Sequence, residues 1–230
     1  MPQLARMSTS VSGSTRSRDD SLTASRRAVA LTRERAARRW VRAMLGRTAH
    51  ERRVAANATI LFNLLRPLHR LPRRELRLLR LAALVHDVGR AIDDDDHPTV
   101  GAELVLAQMP VAMTRSRRRR LAYLTRYHRG AVPELGQDNI LRVGDARAAT
   151  RILLAMLRAA DTLNCRQLSS PQVEFVLKNQ QDRRPRLKII VRTTVDADLA
   201  KRAFAREKKY RLLGDLLNVR VDVDVQTADR

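Results

Sequence analysis

Cysteine is nearly absent from this chain: Cys165 stands alone among 230 residues. An internal disulfide framework is thereby excluded, and a lone thiol suits a reducing compartment, so a cytoplasmic protein is expected. Aromatics supply only 3% of the residues, so a core must be built from Leu, Ala and Val. Glycine totals eight, and no glycine-rich loop offers the backbone amides that cradle a phosphate. No apolar stretch approaches the roughly 20 residues of a membrane span, and no apolar core of a secretory signal is present. Carboxylates are also scarce: 24 Asp and Glu stand against 46 Lys and Arg, for a net charge of +22. A field of that sign attracts polyanions such as nucleic acid, nucleotides or polyphosphate. An arginine-biased composition with no ligand would carry the same excess.

What remains is abundant helical periodicity. Hydrophobic content is 44%, arranged mostly at helical spacing, which predicts a mainly α protein with one helical domain and appendages. Residues 1–24 are rich in Ser, Thr and Arg and are expected to form a disordered basic tail. From Leu31 to Leu45 an Arg-rich helix begins, with Trp40 as its anchor. This arm is either a polyanion contact or a solvated helix face. Residues 25–168 are expected to form the helical domain. Within it, Asp96 and Pro98 suit the N-cap and first position of a helix. His69, in the stretch Arg66 to Pro72, reads as part of a surface turn.

Residues 169–230 change character and predict a small α+β appendage packed on the helical domain. Val173–Lys178 and Leu187–Arg192 read as a hairpin around a polar turn. Asp196 begins a helix expected to run through Tyr210. Residues 218–225 alternate strictly, as a strand with one apolar face does. Nothing in the appendage reads as catalytic.

The chemistry lies in the helical domain. The run from Leu76 through Val85 ends in His86 and Asp87. An imidazole and a carboxylate side by side on a mostly buried helix are costly to desolvate, and a divalent ion offsets that cost because both are good ligands. His50 shares a helical face with Val54, Ala58, Leu61 and Leu65. His128 follows Leu121 and Leu124 at inward spacing, and Asp161 follows Leu154 and Leu157 in the same way. His97 lies in the loop after the His-Asp pair. Arg53, Arg90, Arg126 and Arg129 fall within a turn of these residues, and their forked guanidinium groups suit phosphate.

The order His50, His86-Asp87, Asp161 resembles the HD phosphohydrolase superfamily. The stretches around His50, Leu81–Gly89, His97–Val105, Arg126–Arg129 and Leu157–Asn164 are similar to the C-terminal HD domain of the exopolyphosphatase / guanosine pentaphosphate phosphatase family, over roughly residues 45–225. The resemblance implies an HD-type helical bundle in which His50, His86, Asp87 and Asp161 hold a divalent ion (Mn, Fe, Zn, Ni or Mg). It implies that His97 and His128 complete a second, with Asp87 as the bridge. Asp87 and Arg90 are then the expected catalytic residues, and Arg53, Arg126 and Arg129 the phosphate-binding ones. That family's own phosphatase chemistry resides in an N-terminal actin-like domain, for which this chain has no counterpart, so only the HD module carries over. The expected function is metal-dependent hydrolysis of a nucleotide or other phosphorylated anion. The alternative is a non-catalytic module that binds polyphosphate or nucleic acid. Oligomeric state is not legible.

Overall fold

The computed structural model describes residues 14–134, 136–179 and 181–227, with side chains from Ala28 onward. Helix α1 spans Ser14–Leu45, so it takes in residues 14–24 of the span expected to be a disordered tail; residues 1–13 lie outside the described residues. The reason is local. No Gly or Pro interrupts the sequence from Ser14 to Leu45, and Ala37 and Val41 are fully buried against the body. The helix therefore propagates backwards from an anchored end through residues of adequate propensity.

Helix α2 spans Ala49–Leu64 and α3 is one short turn, Arg66–His69. His69 is not on a surface turn, as its neighbouring prolines suggested, but buried. One ring nitrogen lies 2.8 Å from the Phe62 carbonyl, and the other accepts from the Leu71 amide at 2.8 Å. Its imidazole staples a helix corner.

Helix α4, Arg73–Val85, supplies the centre of the core: Leu78, Leu79 and every residue from Leu81 to Val85 are buried. It gives way to a 3-10 turn, Val88–Ala91, then α5, His97–Ala107, and α6, Arg115–Tyr127. Because α5 begins at His97, Pro98 takes the second helical position rather than the first. Asp96 is the N-cap residue but caps no backbone amide; its carboxylate accepts from the Thr99 hydroxyl at 2.6 Å. Asp93 does the local capping, accepting from the amides of Asp95 and Asp96. Helix α7, Arg147–Thr162, buries Leu153–Leu157, Ala159 and Ala160. It packs on α2, α4 and α6. The core is Leu, Ala and Val, with Phe62 and Tyr123 its largest side chains in the helical body.

The C-terminal unit is a three-stranded sheet with two helices. Strands β1 (Gln172–Lys178) and β2 (Arg186–Thr193) form the expected antiparallel hairpin. The expected single helix after Asp196 is two: α8, Ala197–Phe204, and α9, Glu207–Leu217. Asp196 caps α8 through its carboxylate, which accepts from the amides of Asp198 and Leu199. The break at Ala205 and Arg206 has no Gly or Pro to announce it. It lets both Phe204 and Tyr210 reach the interior, where the Tyr210 hydroxyl donates to the Phe204 carbonyl at 2.6 Å. The two helices form the crossover to β3, Arg220–Thr227, which pairs parallel with β2. A parallel pair needs a crossover of that kind. Leu187, Ile189 and Val191 form the buried face of β2. Helix α9 packs on α7 and thereby seats this unit on the helical body. Among the described residues no helix is long and apolar enough to cross a membrane.

Candidate metal centre

Five helices and a 3-10 turn deliver the site. The apolar run of α4 carries His86 to its C-terminal end, where the backbone amide still bonds to Ala82. Asp87 leaves the helix and opens the 3-10 turn, so the two neighbours approach one point from different backbone directions. His50 comes from the first turn of α2, His97 from the first residue of α5, His128 from the end of α6 and Asp161 from the last turn of α7. All but Asp161 are buried, and it is nearly so, with a side chain 10% exposed.

Two groups of donor atoms result. In the first, His50 Nε2 lies 3.3 Å from both His86 Nε2 and Asp161 Oδ1. His86 Nε2 is 3.4 Å from the same Asp161 oxygen. Asp87 Oδ2 closes the group at 3.7 Å from His50 Nε2 and 3.6 Å from His86 Nε2. In the second, Asp87 Oδ1 lies 3.3 Å from His97 Nε2 and 3.3 Å from His128 Nε2. Asp87 thus divides its two oxygens between the groups. Separations of this size suit donors around a common divalent ion, because bonds of about 2.0–2.2 Å in a tetrahedral array set ligands roughly 3.3–3.6 Å apart.

The tautomers support the fit. His86 Nδ1 faces the Ala83 carbonyl at 3.0 Å, His97 Nδ1 the Asp94 carbonyl at 2.7 Å and His128 Nδ1 the Thr125 carbonyl at 2.7 Å. A carbonyl only accepts, so each Nδ1 carries a proton and each ring turns its Nε2 inward. Asp87 Oδ1, His97 Nε2 and His128 Nε2 are buried with no hydrogen-bond partner. Lone pairs of nitrogen and carboxylate oxygen therefore face each other, an arrangement that asks for a cation between them.

Protonation follows the same logic. Burial works against charge on His86, yet Asp87 and Asp161 carry its imidazole up to about 9. Burial pushes the Asp87 carboxyl up, but His86, His128 and His97 hold it well below the usual carboxylate range. Asp161 is held low against its burial by His50 and His86. Burial lowers His50 and His128 and keeps them neutral.

Two participants escaped the sequence reading. Glu51 is fully buried beside His50, and Arg166 reaches it from the turn after α7. Arg166 Nε also donates to Asp87 Oδ2 at 2.7 Å. Burial opposes the charge on Arg166, but Asp87 and Glu51 raise its pKa further. Neither residue carries a local pattern that would single it out, since the ion pair joins positions 115 residues apart.

The centre opens, through His50, His97 and Asp161, onto a cleft of about 630 Å³. Arg90, Arg126 and Arg129 line it. Arg90 Nε lies 3.2 Å from Asp87 Oδ2, and its other end pairs with Asp94. Arg129 Nε is 3.9 Å from Asp161 Oδ2, and Arg126 stacks over the Tyr127 ring. Arg53 is half-buried and does not line the cleft. Arg166, Arg206 and Lys209 line it as well, the last two from the C-terminal unit in which no functional residue was expected.

A search of curated proteins finds no match. The family model for Ppx/GppA phosphatase, domain III, matches residues 32–208. That span holds every helix from α2 to α8 and all six ligand-type residues of the centre. The chain therefore belongs to the Ppx/GppA phosphatase family, through its domain III.

Proposed function

We propose that this chain is an HD-type, metal-dependent phosphohydrolase acting on a nucleotide or another phosphorylated anion. The observation that carries the reading is the divided carboxylate of Asp87, with one oxygen in each of two histidine-lined donor groups. In this reading residues 25–168 are the catalytic domain and residues 169–230 an appendage that borders its cleft. His50, His86, Asp87 Oδ2 and Asp161 would hold one divalent ion; Asp87 Oδ1, His97 and His128 would hold a second. The donor set of imidazole and carboxylate suits Mn, Fe, Zn or Ni, and Mg less well.

Bound divalent ions supply a hydroxide at neutral pH and neutralise phosphoryl oxygens. The chain's own groups do the rest. The three carbonyls of Ala83, Asp94 and Thr125 keep the ring protons on Nδ1, so that Nε2 stays free to donate a lone pair. Arg166 fixes the orientation of Asp87. Arg90, within reach of a ligand carboxylate and on the cleft wall, is placed to meet the oxygens of a phosphoryl group. Arg126 and Arg129, also on the cleft wall, are assigned to binding of the remainder of the anion, whereas Arg53, off the cleft, is given no part in it.

A second reading, a non-catalytic polyanion-binding module, draws on the net charge of +22 and on the exposed Arg35, Arg39 and Arg42 of α1. The two readings separate in one experiment. Metal content of the purified protein is measured, followed by hydrolysis of nucleoside phosphates, guanosine polyphosphates and polyphosphate with each metal supplied. Bound metal with turnover supports the hydrolase. Salt-sensitive polyanion binding without turnover under any metal supports the module.

A further inference from the structure

The lining of the cleft has two unlike parts. Asp94, Asp95 and Asp96 contribute carboxylates from the loop before α5. Arg126, Arg129, Arg206 and Lys209 contribute cations, and the last two come from the junction and first turn of the helix pair in the C-terminal unit. Among the described residues Arg126, Arg206 and Lys209 form no ion pair, and Arg129 comes no nearer than 3.9 Å to Asp161. Arg206 spends only its Nε, which donates to the Arg202 carbonyl at 2.6 Å. Behind them Arg158 is already committed, donating to the carbonyls of Tyr127 and Gly130 at 2.9 and 3.0 Å.

Two separate stretches of chain therefore bring cations together, with only the long approach of Arg129 to Asp161 to offset them. Lys209 is half-buried among them. Burial, Arg158, Arg129 and Arg206 all disfavour its charge, and only Asp161 favours it. Like charges gathered at a partly desolvated wall raise the energy of the empty protein, and a bound anion relieves it. The cleft volume of about 630 Å³ suits a small molecule. The aspartates in the same lining disfavour an extended polyanion laid along the cleft.

We propose that Lys209, Arg206 and Arg129 form a second anion subsite next to the metal centre, so that the cleft's ligand is a compact molecule with two phosphate-like groups. One group sits at the centre and the other between these three cations. The inference rests on the reading of the centre as a phosphoryl site. It also assigns the C-terminal unit a part in specificity, since that unit alone brings Lys209 and Arg206.

The test compares methylphosphonate with methylenebisphosphonate, which cannot be hydrolysed, by titration calorimetry on the Mn²⁺-loaded full chain. Metal content is measured before and after, so that chelation is separated from binding. Wild type should bind the bisphosphonate at least about tenfold more tightly than the monophosphonate, the scale of one added charge-assisted contact. In the double variant Lys209→Met, Arg206→Met that advantage should shrink to about threefold or less, with methylphosphonate affinity unchanged. Both side chains lie on the cleft wall outside the core, and circular dichroism checks that the variant is folded. An advantage that survives in the double variant, or is absent in wild type, overturns the subsite while leaving the phosphoryl centre standing. Failure of methylphosphonate to bind the loaded wild type overturns the reading of the centre and the subsite with it.

Discussion

Gly89 and Gly101 meet backbone against backbone: a Cβ at position 89 would lie 2.2 Å from the His97 carbonyl oxygen and 2.6 Å from the Gly101 nitrogen. This contact presses the 3-10 turn that follows Asp87 onto the first turn of α5, which begins with His97. It is what allows Asp87 Oδ1 and His97 Nε2 to stand 3.3 Å apart. Gly89→Ala should therefore cost about 3 kcal/mol or more, because neither backbone can yield. The folded fraction should also retain less Mn²⁺, since His97 itself is displaced. Gly101→Ala should be milder, its nearest contacts being Thr125 Cγ2 at 3.0 Å and the Gly89 nitrogen at 3.2 Å. Denaturant melts with metal analysis check both. A Gly89→Ala protein as stable and as metal-rich as wild type would sink the argument.

In the metal-free protein, stability should peak near pH 6.5. The His86 imidazole is raised to about 9, so its contribution is complete below the unfolded value of about 6.5 and lost as pH climbs toward 9. His50, His69 and His128 are lowered by burial. They stay neutral in the fold while the unfolded chain takes up protons, so stability also falls as pH drops below about 6.5. The alkaline loss should be on the order of 1–3 kcal/mol. A divalent ion takes the place of the His86 proton and should abolish the alkaline loss. Thermal melts from pH 5 to 9 with and without Mn²⁺ measure it; metal-free melting that rises between pH 7 and 9 contradicts it.

How much of this was legible in the sequence depends on distance along the chain. His50, His86, His128 and Asp161 stand on or at the ends of apolar helical faces, so periodicity picks them out as inward-facing polar groups, and Asp87 is legible as the neighbour of His86. The hairpin and the last strand were readable from alternation. Glu51 and Arg166 were not, because a buried ion pair between distant positions leaves no periodic trace. Lys209 and Arg206 look like solvated charges until the packing of α9 on α7 brings them to the cleft. The join between α8 and α9, and the burial of His69, are likewise set by tertiary packing and override the local signals.

Asp87→Ala should abolish phosphohydrolase turnover and metal binding together, since one carboxylate serves both donor groups. It should also destabilise the metal-free fold at pH 7. The carboxyl is held well below its ordinary range in spite of its burial, which means that its favourable partners outweigh its desolvation. Those partners, Arg166 at 2.7 Å and the His86 imidazole, lose their counter-charge in the variant. Hydrolysis assays and melts of apo protein give the two readouts. Turnover equal to wild type removes the catalytic assignment; an apo protein more stable than wild type removes the electrostatic one.

The pair Glu51–Arg166 gives the sharpest test of what holds the centre in shape. Glu51 has no solvent exposure, and Arg166 is its only ionic partner among the described residues. Arg166→Met leaves a buried carboxylate unpaired, and the loss should be about 3 kcal/mol, reduced from a fully buried case because Arg166 is partly exposed. Adding Glu51→Gln removes the stranded charge and should restore most of that stability. Metal affinity should behave differently. Arg166 also holds Asp87 Oδ2, so the double variant should recover its melting temperature without recovering wild-type Mn²⁺ binding. A merely structural pair would recover both together. If the double variant melts no higher than Arg166→Met alone, the ion pair is not what Arg166 contributes, and Glu51 loses its role as the counter-charge that holds Arg166 against the centre.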